Sequence, residues 1–303
     1  MGGELMPLGP MGWEYDWRAV NRYLAESTTP VFATSAAPLA GTGEKQIRLL
    51  YQAVRQVVGA DICLQQTIGD CVSQGWSQAR DYLACCQIAA GQREKWVATC
   101  ATEPIYALSR VEVGGNRIRG DGSVGAWAAK AVTTYGTLSR MKYGSIDLSV
   151  YSGDRARKWG SAGCPDELEP VARERLIRTV SLVTSYNQAR DAIANGYPVV
   201  VCSQQGFREE RDADGFMRPQ GTWPHCMIFI AVDDQFRRPG LLCMNSWGPH
   251  WITGPKRHDQ PDGSGWVDAD VADRMLRIQP DSYAVSGFIG YPGSDEWSDY
   301  LTI

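Results

Sequence analysis

The chain has 303 residues, of which 44% are hydrophobic and 21% are charged, and its mean hydropathy is -0.29. This composition is typical of a globular protein, long enough for one large domain or two smaller ones. Thirty basic and 34 acidic residues give a formal net charge of -4, so no positive surplus exists to bind a nucleic-acid backbone. The longest apolar run, 226–232, is far shorter than the roughly 20 residues that cross a bilayer, so we expect no membrane partner.

The amino terminus and the cysteines indicate a reducing compartment. The sequence Met-Gly-Gly-Glu-Leu-Met-Pro has neither the basic start nor the apolar core of a secretory signal. The nine cysteines form no Cys-x-x-Cys pair, and an odd number without a signal argues against a disulfide framework. We therefore expect free thiols, a cytoplasmic location, no metal and no cofactor.

Residues 1–43 are predicted to form an N-terminal arm. They are rich in Gly, Pro, Ser, Thr and Ala, and within them only 17–26 has the pattern of a helix. We expect this arm to pack on its own domain or on a neighbouring subunit. In the second case it would be a docking element for a homo-oligomer or a larger assembly.

The remaining residues, 44–303, change from helical to strand-like patterns near Gly196. The predicted helices cover 44–58, 70–90, 104–110, 124–135, 168–178 and 188–194, and the predicted strands cover 197–202, 225–232, 241–245, 265–267 and 283–290. Because helices and strands are segregated along the chain, we predict an α+β fold. Its helical lobe would span about 44–180 and its sheet lobe about 181–303.

Cys71 is the strongest candidate for a nucleophile. It follows Gly69 and Asp70 at the predicted start of a long helix, where first-turn amides and the helix dipole stabilise a thiolate. With an imidazolium nearby, the thiol pKa would fall from about 8.5 to between roughly 3.5 and 7.5. The side-chain amide of Gln65 and the backbone amide of Cys71 would then hold an oxyanion.

His225 is the histidine best placed to serve as a base. It begins an apolar strand, so its backbone would be held rigidly. Asn245 ends the next predicted strand, and on adjacent antiparallel strands its side chain would accept the Nδ1 proton of the imidazole and fix the tautomer. Trp247 would shield this hydrogen bond from water.

This order of residues resembles that of the papain-like cysteine peptidases. The matching residues are Gln65, Gly69 and Cys71 at a helix start, His225 at a strand start, and the segment Asn245-Ser246-Trp247-Gly248. The spacing from Cys71 to His225 also fits the family. The resemblance covers about 60–290. It implies a helical lobe and an antiparallel β-barrel-like lobe with the active-site cleft between them.

Two further segments are similar to this family. The segment Gly120-Asp121-Gly122-Ser123 resembles the glycine-bearing wall of the substrate cleft, so Gly120, Gly122 and Ser123 are expected to line it. Residues 192–199 resemble the helix that leads into the first strand of the barrel-like lobe.

The sequence departs from the family at the nucleophile. The usual Cys-Gly-Ser-Cys-Trp is here 68–72, Ile-Gly-Asp-Cys-Val, which removes a disulfide partner and a tryptophan. Asp70 would raise the thiol pKa, unless its side chain caps the helix and points away. No counterpart of the family's inhibitory prosegment is recognisable, and the chain looks similar to non-secreted phage and bacterial members.

Other motifs have structural interpretations. Residues 120–125 match a dinucleotide-binding fingerprint but follow no convincing strand and lie outside any βαβ unit. Residues 212–215 predict a hairpin turn rather than a calcium loop, and 208–212 predict a solvated loop. His250 and His258 lie in a loop rich in Pro, Gly and charge, and are predicted at the surface.

The sequence therefore predicts a cysteine peptidase that hydrolyses peptide bonds through Cys71, His225 and Asn245 by way of an acyl-enzyme, with a peptide or protein as substrate. An alternative from a different class is a structural or assembly protein, for example a phage virion component. Such a protein would keep the papain-like fold with little or no general protease activity. A transglutaminase- or amidase-like use of the same residues is a third interpretation.

Overall fold

The computed structural model describes residues 9–91, 95–294 and 297. Within these ranges a group of helices packs against one antiparallel sheet, which confirms the predicted α+β class. None of the described helices combines the length and the apolarity that a bilayer span requires.

The described part of the N-terminal arm lies on its own domain. Helix α1 (Trp17–Glu26) has its predicted bounds, and the Asp16 carboxylate caps it by accepting two first-turn amides. Val20 and Tyr23 of this helix belong to the main hydrophobic core. A short helix α2 (Phe32–Ser35) follows. Contact with a neighbouring subunit stays a prediction.

The helical lobe is built mainly from the first half of the domain. Its helices are α3 (Leu50–Val58), α4 (Cys71–Ala89), α5 (Thr102–Leu108), α6 (Gly125–Thr134), α7 (Gly153–Ala162) and α8 (Glu169–Arg173). A π-helical turn, 109–113, continues α5, and two short strands form a hairpin, β2 (Lys142–Tyr143) and β3 (Ile146–Asp147). Helix α7 was missed in the sequence because only small residues, Gly153, Ala156 and Gly160, face the core.

The sheet lobe consists of antiparallel strands from the second half of the chain and of one strand that directly follows the N-terminal arm in sequence. They are β1 (Ile47–Leu49), β4 (Thr179–Leu182), β5 (Val199–Arg211), β6 (Met217–Asp233), β7 (Gly240–Met244), β8 (Ser264–Asp268) and β9 (Tyr283–Ser286). Their order is β4-β9-β5-β6-β7-β8, and β1 pairs with β6. Helices α9 (Tyr186–Ala194) and α10 (Ala269–Arg277) pack against this sheet.

The β5–β6 hairpin is longer than predicted. The turn at its tip is confirmed, since the Asp212 carboxylate accepts the amides of Asp214 and Phe216 and Gly215 has a φ of +84°. Most of 208–212 is strand rather than the predicted solvated loop. Arg211 explains this difference, because its buried guanidinium donates to the carbonyls of Ser264, the first residue of β8, and of Gly254 in the preceding loop.

Helix α4 joins the two lobes. It is buried on nearly every side, because it packs against α3 and α5 on the helical side and against β5 and β6 on the sheet side. Gly75 permits the close approach to β6, since a Cβ there would lie 3.0 Å from Cys226 Sγ. The first residue of α4 is thereby held against the strand that carries His225.

Candidate active site

Cys71 is the first residue of α4 and is fully buried. Its sulfur faces two backbone amides, those of Cys226 and Gly12, which lower the thiol pKa. Burial outweighs both and raises the pKa of Cys71 well above its ordinary value. The lowered thiol pKa expected from the helix terminus is therefore not found in this state, because the sulfur is shut off from water.

His225 and Asn245 are brought together as the strand pattern predicts. Nε2 of His225 lies 2.8 Å from Oδ1 of Asn245, which also accepts the amide of Ser246. The prediction that Nδ1 would meet Asn245 is wrong. The ring is oriented so that Nε2 points along the sheet to Asn245, which leaves Nδ1 buried without a partner among the described residues. Trp247 lies over this pair, its ring centre 4.7 Å from that of His225.

The thiol and the imidazole form a neutral pair in this structure. Burial lowers the pKa of His225 to about 4, although the hydrogen bond to Asn245 opposes the shift. Nδ1 of His225 makes no hydrogen bond to the Cys71 sulfur. His225 and Cys71 are nevertheless neighbours, because Cys226, the next residue after His225, presents its amide to the sulfur. The predicted nucleophile and the predicted base are therefore adjacent but not hydrogen-bonded to each other.

Asp70 neither caps α4 nor points into solvent. Its Oδ2 accepts the side-chain amide of Gln74 at 2.9 Å and the hydroxyl of Tyr151 at 3.1 Å, while Oδ1 is buried without a partner among the described residues. Burial raises the pKa of this carboxyl to about 7. The carboxylate form raises the pKa of Cys71, as the sequence predicts, although burial of the thiol contributes more.

Two adjacent glutamines precede Cys71 in the chain, and they have different surroundings. Gln65, predicted to hold the oxyanion, is exposed, pairs through its backbone with Trp247, and rests its side chain on Gly248. Gln66 is buried and donates from Nε2 to the carbonyls of Pro10 and Ile68, at 2.9 and 2.8 Å. Gln65 is therefore free to meet a ligand, whereas Gln66 holds the arm.

The predicted wall of the cleft is tied together by Arg110, which follows α5 in the π-helical turn. Its guanidinium donates to the carbonyls of Gly120 and Gly122, and the Tyr106 hydroxyl accepts the amide of Gly122 at 2.9 Å. Ser123 is buried, and its hydroxyl meets that of Ser109 at 2.9 Å. The three predicted cleft residues thus share one rigid wall.

The N-terminal arm occupies the cleft between this wall and the sheet lobe. The Ser123 amide donates to the Gly12 carbonyl at 2.8 Å, and the Ser123 carbonyl accepts the Glu14 amide at 2.9 Å, in a parallel bridge. On the opposite side, the amide of Trp13 donates to the carbonyl of Pro224 at 3.1 Å. Residues 12–14 therefore form an extended segment that is hydrogen-bonded to both lobes, directly beside Cys71.

The backbone of the arm packs directly against the backbone of the loop that precedes Cys71. A Cβ on Gly12 would lie 1.9 Å from the carbonyl oxygen of Gly69, and a Cβ on Gly69 would lie 2.3 Å from the carbonyl oxygen of Met11. Pro10 is anchored at its carbonyl by Gln66 and by the indole N–H of Trp247, the latter at 3.0 Å. Only glycine fits at positions 12 and 69 without a shift of backbone.

No local pattern in the sequence predicts that 9–14 lies at the site. Trp13 is the missed residue with the clearest signal, since a tryptophan between glycine-rich segments of an arm predicts an anchor. Its partner Asp281 lies in a loop before β9 and had no signal of its own. No group of three histidine, cysteine, aspartate or glutamate side chains in the described ranges could hold a metal ion.

Similar structures agree with this architecture. Xylellain, a cysteine protease from Xylella fastidiosa, superposes with a TM-score of 0.53 at 14% identity, over 91% of each chain. The digestive procathepsin L 3 of Tenebrio molitor gives 0.53 at 13% identity, over 88% of this chain and 79% of the other.

The ragweed cysteine protease Amb a 11, in its proform, gives a TM-score of 0.51 at 14% identity, over 90% of this chain and 74% of the other. The chain has the papain-like cysteine protease fold. The expected fold is thereby confirmed. No protein-family model and no curated protein matches the sequence at a significant level.

Proposed function

We propose that the chain is a papain-like cysteine peptidase whose cleft is occupied by its own residues 9–14. The observation that carries this proposal is the extended backbone of Gly12 and Trp13, bonded to Ser123 on one side and to Pro224 on the other, next to Cys71. A groove that pairs with both edges of an extended chain is a groove for peptides. Xylellain and Amb a 11, which share this fold, are cysteine proteases.

The catalytic steps require the arm to leave. The Cys71 thiol would pass its proton to Nδ1 of His225, and the sulfur would bond to the carbonyl carbon of a substrate peptide. The Cys71 amide and Gln65 would donate to the oxyanion. His225 would then protonate the leaving amine as the C–N bond breaks. Finally it would deprotonate a water that hydrolyses the thioester and regenerates the thiol, while Asn245 keeps the ring oriented.

The arm is bound as an inhibitor and not as a substrate. The sulfur of Cys71 faces the N–H of Gly12, so the arm offers it a hydrogen-bond donor. The carbonyl of Gly12 accepts the Ser123 amide, so the cleft wall already engages this oxygen. Proton transfer to His225 is also disfavoured while burial keeps the pKa of His225 near 4.

Peptide hydrolysis by the full-length chain tests this proposal. A Gly12→Ala variant cannot seat its arm, so we expect it to cleave an unfolded protein such as reduced casein faster than the wild type. Adding Cys71→Ala should abolish that cleavage. If the double variant cleaves as fast as Gly12→Ala, or if Gly12→Ala alkylates rapidly at Cys71 but cleaves nothing, a peptidase function is contradicted.

Two further predictions stay open as proposals. All nine cysteines are free thiols, which supports a reducing, cytoplasmic location. An assembly role through the arm remains the alternative from a different class. A solution mass of 33.4 kDa would favour the free enzyme, and a ring or shell would favour the assembly.

A further inference from the structure

Two thiols that the proposed catalytic steps do not use lie in contact inside the sheet lobe. Cys202 on β5 and Cys226 on β6 are directly opposite each other in the register of the two strands. The Cys202 thiol donates to the sulfur of Cys226, and the two sulfur atoms are 3.1 Å apart. A disulfide bond is about 2 Å long, so a movement of about 1 Å would join them.

The backbone at this pair has the geometry that a cross-strand disulfide needs. The amide of Cys202 donates to the Ser282 hydroxyl at 3.1 Å, and its carbonyl accepts the same hydroxyl at 3.4 Å. The amide of Cys226 is directed at the sulfur of Cys71. Both amides therefore point away from the facing strand, which makes this a non-hydrogen-bonded pair with its Cα atoms about 4.5 Å apart. Disulfides span this separation.

The two thiols form one cluster with Cys71. The sulfur of Cys226 faces α4, since it is the atom nearest to a Cβ built on Gly75, one turn after Cys71. Burial raises the pKa of Cys71 and of Cys202, and the neighbouring Cys226 raises both further. All three are fully buried, but Cys71 is covered in part by the arm, whose Gly12 amide faces its sulfur. An oxidant therefore reaches the cluster through Cys71 once the arm leaves.

We propose that Cys226 and Cys202 are a resolving pair, which returns Cys71 to its thiol after a peroxide has oxidised it and stores the oxidation as a Cys202–Cys226 disulfide. This inference rests on the proposed function in one respect, that the arm leaves the cleft and exposes a reactive Cys71. A sulfenic acid that is not resolved by a second thiol is oxidised further to the sulfinic acid, which is irreversible. The pair thus preserves the nucleophile.

The steps balance with hydrogen peroxide as the oxidant. The Cys71 thiolate attacks one peroxide oxygen, the O–O bond breaks, and the products are a sulfenic acid and hydroxide. The Cys226 thiol attacks the sulfur of Cys71, so that an S–S bond forms, the S–O bond breaks and water leaves. The Cys202 thiol then attacks the sulfur of Cys226, which breaks the bond to Cys71, and its proton passes to the released thiolate. Overall, two thiols and one peroxide give one disulfide and two waters.

Peroxide treatment of full-length Gly12→Ala, followed by mass spectrometry of its peptides, tests this inference. An equimolar amount of hydrogen peroxide should produce the Cys202–Cys226 disulfide, while Cys71 is still alkylated by iodoacetamide. The wild type, whose arm covers Cys71, should form this disulfide at least about tenfold more slowly. Sulfinic acid at Cys71 of Gly12→Ala, with both other thiols still reduced, would overturn the proposal.

Removing one thiol at a time should stop the sequence of exchanges at different points. In the Gly12→Ala background, Cys226→Ala should leave Cys71 as the sulfinic acid, and Cys202→Ala should trap a disulfide between Cys71 and Cys226. Adding Cys71→Ala instead should prevent the Cys202–Cys226 disulfide. Its formation there at an undiminished rate would mean that peroxide reaches the pair without Cys71, which contradicts a resolving role.

Cys243→Ala is the matched control for these variants. Cys243 is buried in the same sheet, but its sulfur is 3.6 Å from Sδ of Met227, whose side chain lies on the face opposite to that of Cys226. In the Gly12→Ala background this substitution should change neither the disulfide nor the alkylation of Cys71. Melting temperatures establish that each variant is folded.

The inference and the proposed function fail in different ways. A Gly12→Ala protein that forms the disulfide and keeps its Cys71 thiol, but cleaves no casein, would contradict the peptidase function alone. One that cleaves casein but loses Cys71 to the sulfinic acid while Cys202 and Cys226 stay reduced would contradict the resolving pair alone.

Discussion

Gly12 and Gly69 pack backbone against backbone, and this contact places the arm beside Cys71. A Cβ on Gly12 would come within 1.9 Å of the Gly69 carbonyl oxygen, a distance that no side chain tolerates. The amide of Gly12 can therefore reach the sulfur of Cys71 only because both residues are glycines. The main chain of the arm therefore fits closely against the main chain of the loop that precedes Cys71.

A Gly12→Ala substitution should expel the arm from the cleft. The clash is with backbone, which cannot move aside as a flexible side chain would, so we expect Cys71 to be alkylated by iodoacetamide at least about tenfold faster than in the wild type. Gly144→Ala is the control, since Gly144 has a φ of +56° but nothing within 4 Å of an added Cβ. An unchanged rate in Gly12→Ala would mean that the arm does not limit access.

Substitutions of Gln65 and Gln66 should have different effects, the first on catalysis and the second on binding of the arm. In the Gly12→Ala background, Gln65→Ala should lower kcat for peptide hydrolysis about a hundredfold, the usual cost of an oxyanion donor. It should leave Cys71 alkylation unchanged, because alkylation forms no oxyanion.

In the wild-type background, Gln66→Met should do the opposite. It removes the donor to Pro10 but keeps the size of the side chain, so Cys71 alkylation should become faster. The free energy of unfolding, measured with urea, should fall by about 1–3 kcal/mol, because the Ser246 hydroxyl loses its buried acceptor. If Gln65→Ala changed the rate of Cys71 alkylation and Gln66→Met did not, the assignment of Gln65 to catalysis and Gln66 to arm binding would be contradicted.

Asp70→Asn should make the thiol of Cys71 more acidic. The asparagine keeps an oxygen to accept from Gln74 and Tyr151, but it removes the carboxylate that raises the pKa of Cys71. In the Gly12→Ala background, the midpoint of the alkylation rate against pH should move to lower pH relative to Gly12→Ala alone. The control Asp154→Asn should leave the midpoint unchanged. An unchanged midpoint in Asp70→Asn would contradict the prediction, because it would mean that Asp70 carries no charge in the Gly12→Ala protein.

The buried carboxyl of Asp281 should make stability fall as pH rises. Its pKa is about 7 in the folded state, above the ordinary 3.8, because burial disfavours the charged form. The folded state therefore holds a proton that the unfolded state releases. This contribution is full below pH 3.8 and is lost as pH rises through 7.

Asp281→Asn cannot lose a proton, so urea unfolding should reveal the difference. Between pH 4 and 8 the wild type should lose on the order of 3 kcal/mol of unfolding free energy that the variant retains. The exposed control Asp154→Asn should follow the wild-type curve. Parallel curves for Asp281→Asn and wild type would contradict the raised pKa.

The residues that meet at the candidate site can be recognised from local sequence patterns alone. Cys71 at a helix start, and His225 and Asn245 on neighbouring strands, could be recognised because local patterns set the helix start and the strand alternation. The α+β class followed from the segregation of helical and strand-like segments along the chain. The hairpin turn at Asp212 followed from local backbone chemistry.

The contacts, orientation and burial of those residues depend on the tertiary structure. Residues 9–14 cross the cleft through contacts with Gly69, Ser123 and Pro224, which are distant in sequence, so no local pattern could locate them. The orientation of the His225 ring and the burial of Cys71 likewise depend on what packs over them. The pKa values of buried groups follow that burial and not the residue type alone, which is why the helix start predicts a lowered thiol pKa for Cys71 whereas burial raises it.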